Sequence, residues 1–284
     1  MTREDKNLAK VFKDARMHKT IAEIIITHLV NPVDVRKAAL NDLDLSNCKK
    51  ILDVGCGFGF FTQALKGKIH PMATIKGVDR HSEYKKPYMD SCSEAGIKGI
   101  FDDAGVESLT KIESNTYDLI LCSYALYSFP EYIPHISRIL KETGIFVTIT
   151  HANPHMKEFT DYVRKVLNKH DIKLIGKLPY EELIDNFSNE NGLDLLSPWF
   201  QNIKTEKHIN SLVFKKKDYH DFSRYFCFKR SFFIPENHPD ADDMCDILLD
   251  EIKQDLMRNK TLRITKDDMI FICSNPSKQR TTNV

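Results

Sequence analysis

The chain has 284 residues, which is long enough for one large α/β domain or for a core domain with an inserted cap. Its 41 lysines and arginines against 40 aspartates and glutamates give a formal net charge of +1, so no strong overall field would draw it to nucleic acid or to an anionic membrane. No apolar run approaches the roughly 20 residues that span a bilayer, the N-terminus is too polar for a secretory signal, and the 7 cysteines form no CxxC pair. We therefore expect a cytoplasmic protein with no membrane segment, no disulfide framework and no bound metal.

The first 150 residues alternate between helical and strand-like segments. Residues 1–45 carry apolar side chains at helical spacing and are predicted to form helices. Short apolar runs predict five strands, at residues 51–54, 74–78, 98–101, 117–122 and 144–150. One helix is predicted to begin with residues 60–65, and another is predicted to span residues 130–140. This alternation predicts a mostly parallel sheet covered by helices on both faces.

The pattern changes after Thr150, where helices dominate. Residues 154–192 are predicted to form helices with polar loops, and further helices are predicted at 218–228 and 240–257. A strand or hairpin is predicted at 203–214, and a closing strand pair at 262–273.

The strongest motif is Asp53-Val54-Gly55-Cys56-Gly57-Phe58-Gly59, which directly follows the first predicted strand. Its glycines permit a tight turn and let the backbone approach a ligand closely. A dinucleotide site would have the spacing G-x-G-x-x-G, whereas here the third glycine comes one residue early and an acid precedes the first glycine by two. This spacing disfavours an NAD-dependent oxidoreductase.

The D-x-G-x-G-x-G pattern resembles motif I of the class I S-adenosylmethionine (SAM)-dependent methyltransferases, in which the loop packs against the amino-acid part and the ribose of SAM. The resemblance covers roughly residues 45–152 and includes the segments at 77–79, 101–104 and 118–127, which follow or form the second, third and fourth strands. It implies an α/β, Rossmann-like fold with a seven-stranded, mostly parallel sheet, helices on both faces and an inserted helical cap. Residues 262–273 would supply the seventh strand.

The resemblance also implies which residues bind the cofactor, SAM. Asp79 is expected to accept hydrogen bonds from both ribose hydroxyls, which one carboxylate can do. Asp102 or Asp103 is expected near the adenine amino group, and Ser123 near the methionine end. Asp53 either contacts the SAM amino group through water or orders the glycine turn. The full implied set is Asp53, Gly55, Cys56, Gly57, Gly59, Asp79, Arg80, Asp102, Asp103, Ala104, Cys122 and Ser123.

Acceptor chemistry is expected at the carboxyl ends of the strands, where open α/β sheets bind ligands. Tyr124, Tyr127 and His151, which follow the fourth and fifth strands, are the candidate catalytic residues. A histidine of near-neutral pKa can take a proton from the acceptor, and a tyrosine can face the reacting centre. The alternatives are packing under the cap for the tyrosines and a satisfied polar residue for His151.

The candidate substrate-binding residues are Phe12, Arg16, Tyr127, Asn153 and Trp199. Arg16 would pair with an acceptor carboxylate, or else it lies on a solvated helix face. The implied organisation is an N-terminal helical segment that covers the pocket (1–45), a SAM-binding core (46–153), a cap and acceptor-binding insertion with the sixth strand (154–258), the closing strand of the core (259–274) and a disordered tail (275–284).

No N-P-P-Y or D-P-P-Y tetrapeptide follows the fourth strand, so the chain lacks the pattern of enzymes that methylate the exocyclic amines of nucleic-acid bases or glutamine side chains. In this respect it is similar to the methyltransferases that act on small molecules. The layout after Thr150 is also similar to that of the histamine N-methyltransferases. We expect SAM-dependent methyl transfer to an O, N or carboxylate of a small molecule, by a monomer or homodimer that binds neither nucleic acid nor membrane. The alternatives are an enzyme that cleaves or cyclises SAM itself and a non-catalytic SAM-binding protein.

Overall fold

A computed structural model of the chain describes residues 14–235 and 238–277. These residues form two compact units. Unit 1 contains the described residues up to 32, together with 153–185 and the described part of 209–267, and unit 2 contains 33–152, 186–208 and the described residues from 268 onward. Within the described part of the chain, no helix has both the length and the apolar character needed to cross a membrane.

Nine strands are present among the described residues. In chain order they are β1 (Lys50–Val54), β2 (Thr74–Val78), β3 (Lys98–Asp102), β4 (Tyr117–Ser123), β5 (Leu140–His151), β6 (Phe200–His208), β7 (Ser211–Phe214), β8 (Leu262–Thr265) and β9 (Asp268–Pro276). The α-helices of the same residues are α1 (Ala15–His28), α2 (Val35–Leu40), α3 (Lys85–Ala95), α4 (Ile133–Ile139), α5 (Lys157–Lys169), α6 (Pro179–Asn186), α7 (Gly192–Leu196), α8 (Tyr219–Phe233) and α9 (Ala241–Met257).

Unit 2 is built on a seven-stranded sheet with the order β3-β2-β1-β4-β5-β9-β6. Neighbouring strands from β3 to β5 pair in parallel, whereas β9 pairs antiparallel with both β5 and β6. The central strand β1 buries Ile51, Leu52 and Val54 almost completely, as expected of a parallel strand that is covered on both faces. The predicted α/β fold with a seven-stranded, mostly parallel sheet is therefore confirmed.

One edge of this sheet collects the ends of several strands, and we call it the carboxyl edge. The parallel strands β1, β2, β4 and β5 end there, at Val54, Val78, Ser123 and His151. Because β9 runs in the opposite direction, its first residue, Asp268, lies at the same edge and pairs with His151. The sheet thus brings together residues that are far apart in the sequence.

Unit 1 has a separate apolar core and a two-stranded sheet in which β7 pairs antiparallel with β8. Aromatic side chains from α5 and α8 dominate this core. Phe159 meets Phe233 edge to face with their ring centroids 4.8 Å apart, and Phe222 and Phe226 pack beside them. Aromatic pairs of this geometry add stability beyond the area that they bury.

Three predicted elements differ from the structure. The helix predicted to start at residues 60–65 is a single 3₁₀ turn at Thr62–Leu65, followed closely by Gly67 in a left-handed conformation. The segment predicted as one strand or hairpin at 203–214 contains two strands in different sheets, and the predicted pair at 262–273 is likewise divided between the two sheets. Residues 33–45 and 186–208 belong to unit 2. Helix α2 packs into the apolar core of that unit, and β6 pairs with β9 in its sheet.

Candidate functional site

The glycine loop connects β1 to the 3₁₀ turn at the carboxyl edge. Gly55, Gly57 and Gly59 all have positive φ angles, of 65°, 50° and 83°. A Cβ atom on Gly59 would lie 2.7 Å from the Ser91 Cβ, whereas one on Gly57 would meet nothing closer than a Tyr84 ring carbon at 3.9 Å. Gly59 is therefore required by packing, and Gly57 leaves open space in which a ligand can approach the backbone.

Asp79 follows β2 and faces the glycine loop. Its carboxylate accepts hydrogen bonds from the backbone N–H groups of Gly57, at 2.9 Å, and His81, at 3.0 Å. Burial raises the pKa of Asp79, although these two hydrogen bonds oppose the rise. The side chain is only half-buried, and each carboxylate oxygen has a further lone pair for a ribose hydroxyl. The neighbouring Arg80 is exposed.

Asp53, the acid of the motif, lies inside the sheet. It is 1% exposed and accepts a hydrogen bond of 2.7 Å from the Thr62 hydroxyl. Burial raises its pKa to about 7, and the nearby charge of Asp79 contributes to this rise. These contacts support the interpretation in which Asp53 orders the glycine turn.

The two acids after β3 differ in their surroundings. Asp102 forms an ion pair of 2.6 Å with Lys76 and accepts a hydrogen bond from the Ala104 backbone N–H. Burial alone would raise the pKa of Asp102, but these interactions outweigh it and lower the pKa. Asp103 and Ala104 are exposed, so Asp103 is the more accessible candidate for the adenine amino group.

The two candidate cysteines and Ser123 also differ in accessibility. Cys56 and Cys122 are buried, and burial raises the pKa of both thiols. Neither thiol is therefore suited to act as a nucleophile, and any contact with SAM would come from their backbone. Ser123 ends β4 at the carboxyl edge and is only partly buried.

The three predicted catalytic residues lie together and form what we call the tyrosine–histidine cluster, Tyr124, Tyr127 and His151. The His151 ring lies 5.1 Å from the Tyr124 ring and 5.8 Å from the Tyr127 ring, measured between centroids, and its plane is within 17° of the Tyr127 plane. Tyr124 holds a positive φ of 52°, which is uncommon for a bulky residue, and its N–H donates to the Ile149 carbonyl. Burial raises the pKa of both tyrosines, so both remain protonated at neutral pH.

Two further residues, Asp268 and Arg36, contribute to this region and were not predicted from the sequence. Asp268 is 4% exposed, lies 3.5 Å from the His151 Nδ1 through its Oδ1, and accepts a side-chain hydrogen bond from Tyr124. Arg36 donates to the Phe60 carbonyl at 2.7 Å and holds its guanidinium 4.2 Å from the centre of the Phe60 ring. The Phe60 ring in turn lies 6.2 Å from the Tyr124 ring, so the end of the glycine loop adjoins the cluster.

The other predicted substrate-binding residues do not join this cluster within unit 2. Phe12 lies outside the described residues, Arg16 is an exposed residue of α1 in unit 1, and Asn153 is the first residue of the next segment of unit 1. Trp199 precedes β6, whose first residue pairs with Pro276 at the opposite edge of the sheet. At about 3.3 Å per residue, Trp199 lies roughly 30 Å along β6 from the carboxyl edge.

Comparison with known proteins identifies the family of the chain. A family model described as a methyltransferase domain matches residues 45–215. The demethylmenaquinone methyltransferase of Staphylococcus aureus is 25% identical over 176 residues, which cover 58% of this chain and 71% of that enzyme.

Solved structures show the same fold. A putative methyltransferase from Bacillus halodurans has a TM-score of 0.54 and 13% identity, covering 85% of this chain and 99% of that one. The YcgJ protein from Bacillus subtilis has a TM-score of 0.51 and 17% identity, covering 86% and 97%. The matched domain includes the glycine loop, Asp79 and the tyrosine–histidine cluster, and the chain belongs to the class I SAM-dependent methyltransferases.

Proposed function

We propose that this methyltransferase transfers the methyl group of SAM to an O, N or carboxylate acceptor of a small molecule at the carboxyl edge of its sheet. The observation that carries the proposal is the position of the tyrosine–histidine cluster, which adjoins the end of the glycine loop through Phe60 and Tyr124. The name of the Staphylococcus aureus relative gives demethylmenaquinone as its substrate, a quinone rather than a protein or a nucleic acid, and this supports a non-macromolecular acceptor.

The residues of the loop and of β2 would hold the cofactor. The open space at Gly57 would admit SAM to the backbone, and Asp79, whose carboxylate faces the loop, would accept hydrogen bonds from its ribose hydroxyls. Bound SAM supplies a methyl group that its sulfonium has already made electrophilic. The chain therefore has to place the acceptor in line with that methyl, exclude water and, for a hydroxyl or amine acceptor, take up one proton.

The burial of the tyrosine–histidine cluster supports its role in excluding water and taking up the proton. His151 is 7% exposed and Tyr127 is 5% exposed, so the imidazole is surrounded mainly by protein rather than by bulk water. In the proposed step a hydroxyl or amine acceptor loses its proton to a ring nitrogen of His151 as its bond to the methyl carbon forms, and the electron pair of the broken S–C bond stays on sulfur. A carboxylate acceptor is already ionised near pH 7 and attacks the methyl carbon without losing a proton. A neutral imidazole is suited to this task near pH 7.

The test compares turnover with cofactor affinity in His151→Ala and Tyr127→Phe. Turnover is followed as S-adenosylhomocysteine released with a panel of small phenols, amines and carboxylic acids, and affinity is measured by calorimetry with SAM. We expect turnover to fall by about 10²–10⁴-fold for His151→Ala, the usual contribution of a general base, while SAM affinity changes little. Matched controls are His135→Ala and Tyr132→Phe, which alter the same residue types around α4.

Two results would count against the proposal. If both cluster variants keep the turnover of the parent enzyme, the reacting centre lies elsewhere. If methylthioadenosine replaces S-adenosylhomocysteine as the product, the protein cleaves SAM at another sulfonium carbon instead of transferring its methyl group.

A further inference from the structure

We infer that Asp268 is a positioning residue that holds His151 as the tautomer with its proton on Nδ1 and so leaves Nε2 as the basic atom. This inference rests on the proposed function, because it concerns the residue that acts there as the base. Asp268 belongs to the closing strand β9, 117 residues after His151 along the chain, and lies outside the segment matched by the methyltransferase domain.

The strand register brings the two residues together. His151 and Asp268 are directly opposed in the antiparallel ladder of β5 and β9, and opposed residues present their side chains on the same face of a sheet. Their Nδ1 and Oδ1 atoms are 3.5 Å apart, and the side chains are only 9% and 5% exposed. This distance is a few tenths of an ångström longer than an N–H···O hydrogen bond of roughly 2.7–3.2 Å, so a small shift of either side chain would complete the bond.

The environment favours a fixed imidazole. The Tyr124 hydroxyl donates to the same carboxylate, which holds the orientation of Asp268 from a second side. The Tyr127 ring lies nearly parallel to the His151 ring, with a 17° angle between the planes, and limits its rotation. Tyr124 reaches this position through a left-handed backbone conformation, which a bulky residue adopts only when its surroundings impose it.

The chemical consequence concerns which nitrogen is basic. An ionised carboxylate accepts hydrogen bonds and cannot donate one, so it pairs with an imidazole that is protonated on Nδ1. The proton from the acceptor then goes to Nε2, and Asp268 stabilises the imidazolium that forms. Without the carboxylate, the imidazole would be free to adopt the other tautomer, in which Nε2 carries the proton and cannot act as a base.

Nitrogen NMR tests this directly and needs no acceptor. The full chain is labelled with ¹⁵N-histidine and observed at about pH 8.5, where an ordinary imidazole is neutral. The resonances of His151 are assigned by their loss in His151→Ala. We expect the Nδ1-protonated tautomer in the parent protein and a shift toward the Nε2-protonated tautomer in Asp268→Asn, whose amide can donate to Nδ1. Asp118→Asn, on β4 at the opposite edge of the sheet, is the matched control and should leave His151 unchanged.

The measurement on the parent protein is decisive even if Asp268→Asn does not fold. An Nε2-protonated His151 in the parent would overturn the inference, and so would a tautomer that is unchanged in a folded Asp268→Asn. Once an acceptor is found, Asp268→Asn should lower turnover at least about tenfold in the parent but cause no further loss in a His151→Ala background. If His151 is the Nδ1-protonated tautomer but His151→Ala keeps full turnover, the pairing of Asp268 with His151 is supported. Only the proposed role of His151 as the general base would then be overturned.

Discussion

Replacing Asp79 by alanine tests the cofactor site most directly. The change removes the carboxylate that accepts hydrogen bonds from Gly57 and His81 and that would bind the ribose of SAM. We expect SAM to bind more weakly, while the sheet stays intact because Asp79 follows β2 and is only half-buried.

The magnitude follows from the number and exposure of the lost contacts. A hydrogen bond to a charged group contributes about 1.5–3 kcal/mol, and partial exposure places Asp79 at the lower end of this range. One lost ribose contact then weakens binding roughly tenfold and two weaken it roughly 150-fold, because about 1.4 kcal/mol corresponds to one decade of affinity. Asp79→Asn keeps one acceptor oxygen but loses the charge, so its effect should be intermediate.

The assay is calorimetric titration with S-adenosylhomocysteine, and a thermal melt verifies that each variant is folded. Asp90→Ala is the control, since it removes an acid of α3 whose only described ion pair is an exposed one with Lys86. A folded Asp79→Ala protein that binds within twofold of the parent would show that Asp79 does not hold the ribose. Equal weakening in Asp90→Ala would show that the effect is a general one of charge.

Three further predictions concern stability. Because burial raises the pKa of Asp53 from 3.8 to about 7, its protonated form stabilises the fold fully below about pH 4, and this contribution is lost as the pH rises through 7. Relative to the parent, Asp53→Asn should therefore gain thermal stability as the pH rises from about 4 to about 7, and a difference in melting temperature that stays constant over this range would contradict the assigned pKa. Gly59→Ala should destabilise the fold by roughly 2–4 kcal/mol, because the residue has a positive φ and its new Cβ would lie 2.7 Å from the Ser91 Cβ. Gly67→Ala is the control and should cost only about 1–2 kcal/mol, because Gly67 also has a positive φ but no atom lies within 4 Å of the added Cβ. Denaturant titration measures both costs, and equal values would show that the contact with Ser91 does not matter. Arg36→Gln should lower the melting temperature by roughly 2–10 °C, because it breaks the ion pair with Asp34 and the hydrogen bond to the Phe60 carbonyl. An unchanged melting temperature would show that the contact between Arg36 and Phe60 does not hold the loop.

The sequence was sufficient for features that depend on short-range patterns. The glycine loop, Asp79 and the first five strands follow from local spacing, and parallel strands necessarily end at a common edge. For the same reason, Tyr124, Tyr127 and His151 could be expected close together, since each lies at or just after the end of a strand that ends there. The helix expected to begin at residues 60–65 is only a short 3₁₀ turn, because the chain adopts a left-handed conformation soon afterwards at Gly67. Apolar residues at helical spacing do not indicate this conformation.

Features that depend on register across long separations could not be predicted. Asp268 precedes an apolar run, which marks the start of a strand, but nothing local indicates that this strand lies beside β5 with Asp268 opposite His151. Trp199 was expected near the acceptor, yet the direction of β6 places it at the far edge of the sheet. Antiparallel pairing reverses which end of a strand meets the site, and that direction is set by tertiary packing rather than by composition.

The pairing of β6 with β9 also has a consequence for the order of folding. His208 and Asp268 are register partners although about 60 residues separate them, so forming this pair from an unfolded chain would cost roughly 3.6 kcal/mol of closure entropy. In unit 1, Ser211 pairs with Thr265, only three residues inward on each chain. Once β7 and β8 have paired, the free segment between β6 and β9 is only a few residues long, and most of the closure entropy has already been lost. The assembly of unit 1 should therefore accelerate the addition of the last two strands to the sheet of unit 2.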